Sequence, residues 1–291
     1  MAYFDTANSI HSTVGLYNVL IGFMVAGATG GFSLLLLVPI VSSAAGALAG
    51  LSYYAWGPNH PASNHPVVNR AVAAGITQVA WMIQEGALPL YGCMILVPIL
   101  HNGERLVFLI LFWVLMLVFV TLRLVFMVLA VLLMLGKIPR VQIQATLNNI
   151  QITCFVAIAL AESTTAVFLL KVFRLALRSS MTSPLSSGKL YRFLIRSTQI
   201  RIAMLALIGI GRAVTYPLRI KESKNKGVVT QLDTFLYTLE VLFPIVMFID
   251  ILASRLVSED ERRARSSDLG DSTTVDMLET RVTTNSSCDM D

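Results

Sequence analysis

The sequence predicts an all-α fold: a polytopic transmembrane helical bundle of about seven spans, followed by a disordered C-terminal tail. Three observations predict it. Hydrophobic residues make up 55% of the 291 and charged residues 13%, with mean hydropathy +0.71, whereas a soluble domain carries about 25% charged residues. The apolar residues come in uninterrupted runs of about 20 or more, the length that crosses the hydrocarbon as a helix. The charges lie mainly between the runs.

The elements follow in order. The opening "MAYFDTANSIHSTVG" has no basic n-region, which argues against a cleaved signal peptide. Residues 1–12 form a lumenal or extracellular N-terminus, and residues 13–257 form the bundle. The apolar stretch 13–56 is too long for one span. "GATGG" at Gly27 to Gly31 supplies a tight reversal and gives two helices, hence seven spans. One helix plus a re-entrant segment, giving six, is the alternative. "GPNHPASNHPVVN" is a turn-rich loop. Five further spans then occupy 71–100, 105–135, 147–172, 198–218 and 232–254. After Ser258 the polar, mixed-charge "EDERRARSSDLGDSTTVDMLETRVTTNSSCDMD" reads as a disordered cytosolic tail over 258–291. "NSS" at Asn285 is a chance sequon in such a tail. No internal repeat of the kind that builds many secondary transporters is present.

The 22 Lys and Arg against 17 Asp and Glu leave a net charge of +5, and their placement reports topology, not nucleic-acid binding. With seven spans, one face carries Arg70, Lys137, Arg140, Arg219, Lys221, Lys224 and Lys226. The other carries Arg105, Lys171, Arg174, Arg178, Lys189, Arg192, Arg196 and Arg201, then Arg255, Arg262, Arg263 and Arg265. No acid occurs between Glu162 and Glu222, so the loop after the fifth span is strongly basic. Cytosolic loops carry the Lys/Arg excess, so that loop and the C-terminus belong in the cytosol and the N-terminus in the lumen, in a multi-pass protein of the endoplasmic reticulum.

Three cysteines, Cys93, Cys154 and Cys288, build no disulfide framework and read as free thiols. His11, His60, His65 and His101 are scattered, and no Cys/His spacing forms a zinc or haem motif. No metal and no cofactor is therefore expected. The expected partners are membrane lipids and a lipophilic small-molecule substrate.

The chemistry-bearing residues are the charges inside the spans. "WMIQEGALPLYG" places Glu85 as the single formal charge between Ala71 and Leu100. Arg123, Glu162, Arg212 and Glu240 occupy the four spans that follow. An ionisable residue at such depth costs at least about 2.5 kcal/mol and normally faces the bundle interior with a partner. Counted at about 1.5 Å per residue, all five fall where they can gather in the lumenal half of the bundle. One account is structural: Glu85 or Glu162 pairs with Arg123, and Glu240 with Arg212. Three carboxylates against two guanidiniums then leave one acid without a cation, and in a dry pocket such an acid is a proton donor. Trp81 stands one turn before Glu85, and Gly86 and Pro89 loosen the helix after it. Tyr91, Trp113, Tyr216 and Tyr237 add rings that either anchor at the interface or stabilise a cation.

The pieces "WMIQEGALPLYG", "GERLVFLILFW", "RSTQIRIAMLALIGIGRAVTYPLR" and "QLDTFLYTLEVLFPIVMFIDILASR" resemble a family of seven-helix integral membrane proteins from filamentous fungi. In size, helix number and buried acids the chain is also similar to the membrane-bound terpene cyclases of meroterpenoid pathways. That resemblance implies a non-metal cyclase of secondary metabolism, an isomerase or lyase that protonates an epoxide on a prenyl chain. Glu85 is then the general acid, Glu162 or Glu240 the base that ends the cascade, and Arg123 or Arg212, with Trp81, the support. "GRAVTYPLRIKES" and "QLDTFLYTLE", through Arg212, Arg219, Glu222, Asp233 and Tyr237, resemble the later helices of fungal lipid-translocating exporters, although the spacing of the first arginine pair departs from their pattern. The inferred topology also matches a seven-helix receptor, but the seventh span has no lysine for a retinal Schiff base.

Overall fold

The computed structural model describes residues 7–56, 66–100, 102–137, 139–180, 203–218 and 227–285. These residues form seven helices and no strand: α1 (Ala7–Ala28), α2 (Leu34–Trp56), α3 (Val67–Leu96), α4 (Asn102–Met134), α5 (Arg140–Ser180), α6 (Ala203–Leu218) and α7 (Val228–Asn285). Six are long and apolar enough to cross a membrane, and α6 is a shorter apolar helix. The protein is a helical transmembrane bundle and a multi-pass membrane protein.

The division of 13–56 into two helices follows from the glycine-rich segment. Gly30 has φ +73°, a left-handed conformation that an L side chain resists. There the Gly31 N–H donates back to Ala26 O (3.2 Å), and the Thr29 hydroxyl donates to Val25 O (2.9 Å), so the last carbonyls of α1 are satisfied. Ser33 then caps α2 by accepting from the Leu36 N–H (3.2 Å). Gly15 lets the two helices pack closely, because a Cβ there would lie 2.8 Å from Ala47 N and 2.9 Å from Ser43 O.

The apolar core lies among α3, α4 and α5. Leu96, Phe108, Phe112, Phe119, Cys154 and Leu169 are almost wholly enclosed, and Phe108 stacks between Phe112 and Phe168 with centroids 5.8 and 5.4 Å away. The opposite side of α4 is bare: Leu106, Val107, Ile110, Trp113, Val114 and Leu117 are each more than half exposed. In water such a stripe would mark a docking or aggregation surface; against lipid it needs no cover. At one end of α4 and α5, Lys171 donates to Glu104 (2.6 Å). That exposed pair contributes little energy, but it places the start of α4 and the end of α5 on the same side.

Residues 1–250 make one compact unit and 251–291 a second. The sequence reads 258–291 as a disordered tail, and the described backbone of α7 runs helical through Asn285. No proline interrupts 258–291, and Gly270 is its one glycine. His60, His65, His101, Cys288, residues 181–202 and residues 219–226, with Arg219 and Glu222, lie outside the described residues.

Candidate functional site

The five intramembrane charges come from five different helices and meet. Arg123 of α4, almost fully enclosed, forms an ion pair with Glu85 of α3 and donates to Gln151 Oε1 of α5 (3.0 Å). Arg212 of α6 forms an ion pair with Glu240 of α7, and its Nη1 also lies 3.9 Å from Glu85 Oε1. Glu85 therefore sits between two guanidiniums and links the two pairs into one chain. Aromatic faces hold the cations as well. The Arg212 guanidinium carbon lies 4.4 Å from the Phe155 ring centroid and 4.9 Å from that of Tyr237, and Arg123 lies 5.8 Å from that of Phe119.

Glu162 is the remaining acid. It is buried on α5 at 5% exposure, and it forms no ion pair with any described residue. Its Oε2 accepts no hydrogen bond from them either. That oxygen lies against the backbone of α6 at Gly209, where there is no side chain to meet it. The sequence expectation named Glu85 as the proton-donating acid. The geometry gives Glu85 two cationic neighbours and leaves Glu162 as the carboxyl without an ion-pair partner among the described residues. Arg123 is taken by Glu85 and Arg212 by Glu240, whereas the Glu162 carboxyl meets α6 at Gly209, one turn before Arg212.

A polar and aromatic layer adjoins the centre. Trp81 Nε1 donates to the Tyr237 hydroxyl (3.1 Å). The His11 ring meets the Tyr237 ring edge-on at 4.2 Å, and its Nε2 is 3.2 Å from Thr238 Oγ1. Asn18, one of the most enclosed side chains, donates to Val241 O (2.8 Å). Thr215 donates to Asp233 Oδ1 (3.2 Å) and so joins α6 to α7 a second time. Tyr216 packs edge-on against Phe155 at 5.1 Å. Tyr91 is buried on α3, while Trp113 faces outward.

Sequence reasoning found the five charges and Trp81 but passed over Gln151, His11 and Asn18. A signal for each was present. Gln151 and Glu162 are eleven residues apart, three turns along one face of α5, and His11 and Asn18 are seven apart, two turns along one face of α1. Polar residues sharing one face of an apolar helix point inward together. Cys93 and Cys154 are buried free thiols in the apolar core. The carboxylates alternate with guanidiniums, and among the described residues no set of His, Cys, Asp and Glu is grouped to hold a metal ion.

A second feature lies between α2 and α3: an apolar crevice of about 580 Å³ whose lining includes Ala44, Ala45, Leu48, Gly75, Ile76 and Ala80. Comparison of the chain with known protein families, curated proteins and solved structures finds no match.

Proposed function

We propose that the buried charge centre is the acid–base site of a non-metal membrane enzyme that cyclises an (epoxy)prenylated, meroterpenoid-type substrate in fungal secondary metabolism. The observation that carries this reading is Glu162, a buried carboxyl without an ion-pair partner among the described residues, beside two carboxylate–guanidinium pairs. Three acids against two cations give the centre one negative charge too many for a hydrocarbon surrounding, where an uncompensated charge costs several kcal/mol. One bound proton removes the excess, and Glu162 is where it resides.

In that scheme Glu162 gives its proton to the epoxide oxygen, the C–O bond opens, and a prenyl double bond attacks the resulting cation to close a ring. A proton leaves the last cation to Glu240 and returns to Glu162, so the product is an isomer of the substrate. Glu85, held by Arg123 and Arg212, stays anionic and stabilises the passing positive charge, with Trp81 and Tyr237 offering ring faces. The resemblance of the chain to meroterpenoid cyclases supports the substrate class. The same reading places the protein in the endoplasmic reticulum with its N-terminus lumenal and its C-terminus cytosolic.

The crevice between α2 and α3 favours a second reading, a lipid-translocating exporter, because it offers a chain-sized apolar recess in the middle of two spans. Expression in a host lacking the pathway, fed an epoxy-prenyl arene, separates the two. A ring-closed isomer of equal mass that disappears in Glu162→Gln supports the cyclase; export of the unchanged lipid with no isomer overturns it in favour of the exporter.

A further inference from the structure

Gly209 is the residue that the Glu162 carboxyl rests on. A Cβ built at Gly209 would overlap Glu162 Oε2 and would lie 3.3 Å from the carboxyl carbon and 3.6 Å from the Cα of Ala159. Two things meet at this point. The backbones of α5 and α6 approach closely at Ala159 and Gly209, as small residues allow in membrane helices. One turn along from Ala159, the Glu162 side chain fills the space that any other residue at 209 would occupy. The neighbouring small residues serve other contacts: Gly211 faces Leu236, and Gly92 faces the Thr165 methyl.

We infer that Gly209 is a positioning residue for the acid–base centre: the missing side chain sets where the Glu162 carboxyl, and hence its proton, is presented. The inference rests on the reading of Glu162 as the proton-bearing acid. Gly209 touches no reacting atom and acts only through Glu162. With any Cβ at 209, the carboxyl must swing away from α6. The atom in the way is the far end of a flexible side chain, so the cost falls first on the placement of the acid and not on the packing of the helices. The prediction is therefore a displaced acid in a folded protein.

The test uses the full chain in lipid nanodiscs and reads the infrared carbonyl stretch of a protonated carboxyl, a band that a carboxylate lacks. Glu162→Gln assigns the band. If Glu162→Gln removes nothing from that region, Glu162 bears no proton and the proposed function fails with it. With the band assigned, Gly209→Ala should shift it clearly while Glu85→Gln, which leaves Gly209 in place, is compared for abundance alone. A band unmoved by Gly209→Ala overturns the positioning role and leaves the acid reading standing. Glu162→Asp shortens the acid by one methylene and withdraws it from position 209, so the double change Gly209→Ala with Glu162→Asp should restore any abundance that Gly209→Ala loses. If Gly209→Ala lowers abundance and the double change does not restore it, the inference is also overturned, because the loss then comes from the Ala159 side of the contact.

Discussion

At Glu85 and Glu162 the same side chain meets opposite surroundings, and replacement by glutamine should separate them. Glu162→Gln keeps the volume, removes the transferable proton and leaves no cation stranded. Abundance should therefore hold, while turnover of the prenyl substrate falls roughly 100-fold or more. Glu85→Gln keeps an acceptor oxygen but removes the carboxylate charge and leaves the buried Arg123 without its counter-ion, at a cost of about 3 kcal/mol or more. Abundance in detergent, measured by size-exclusion chromatography, should drop, and the double change Glu85→Gln with Arg123→Gln should recover much of it. Equal abundance of the Glu85→Gln single variant and the wild type would show that the pair carries no structural weight. Tyr237 gathers contacts from three other helices, through Trp81, His11 and Arg212. Tyr237→Phe removes only the acceptor for Trp81 and should alter the tryptophan fluorescence without unfolding the protein.

Among the elements, α1 shows how a helix with little charge is held in a membrane bundle. Its outward face is bare, with Leu16, Tyr17, Leu20, Phe23 and Met24 more than half exposed. Apolar contact does not distinguish that face from lipid, so shape and hydrogen bonds decide which side turns inward. His11 and Asn18 both reach α7, through Thr238 and the Val241 carbonyl. Asn18→Leu should lower thermal stability in detergent by about 1 kcal/mol, the usual size of an interhelical hydrogen bond in a membrane. Thr121→Val is the control, because that exposed hydroxyl donates only to Leu117 O of its own helix (2.8 Å), and its stability should not change. In α3, Pro89 removes the N–H that the Glu85 carbonyl would otherwise accept, which loosens the helix one turn beyond the acid.

For the whole molecule, the count of crossings sets the topology, and α6 is the element on which the count turns. Its described 16 residues rise about 24 Å, short of the roughly 30 Å hydrocarbon. Reporters fused before Met1 and after Asp291 should read lumenal and cytosolic, as the basic loop after α5 requires. If both termini read cytosolic, α6 enters the membrane without crossing it, since α1 and α2 already stand as separate helices of full length. Neutralising Arg174, Arg178, Lys189 and Arg192 should disturb orientation, at about 1 kcal/mol per charge near an anionic surface. A receptor that signals through this loop would instead insert normally and lose its output.

Hydropathy determined the class of fold and the identity of the five buried charges, because lipid rejects unpaired polar groups residue by residue and so marks them in the sequence, and the glycine cluster at Gly27 to Gly31 marked the reversal. The spacing of Gln151 with Glu162, and of His11 with Asn18, was legible too, as shared helix faces. What the sequence left open was which acid goes without a cation. Helical periodicity assigns a side chain to a face but not to a neighbour, and Glu85 and Glu162 both sit on inward faces at similar depth. The rotation and closeness of the helices made the choice: Arg123 pairs with Glu85, Arg212 pairs with Glu240 and also nears Glu85, and the bare backbone of Gly209 receives Glu162. The pairing of buried charges depends on ångström-scale registry between helices, and that registry exists only in the packed structure.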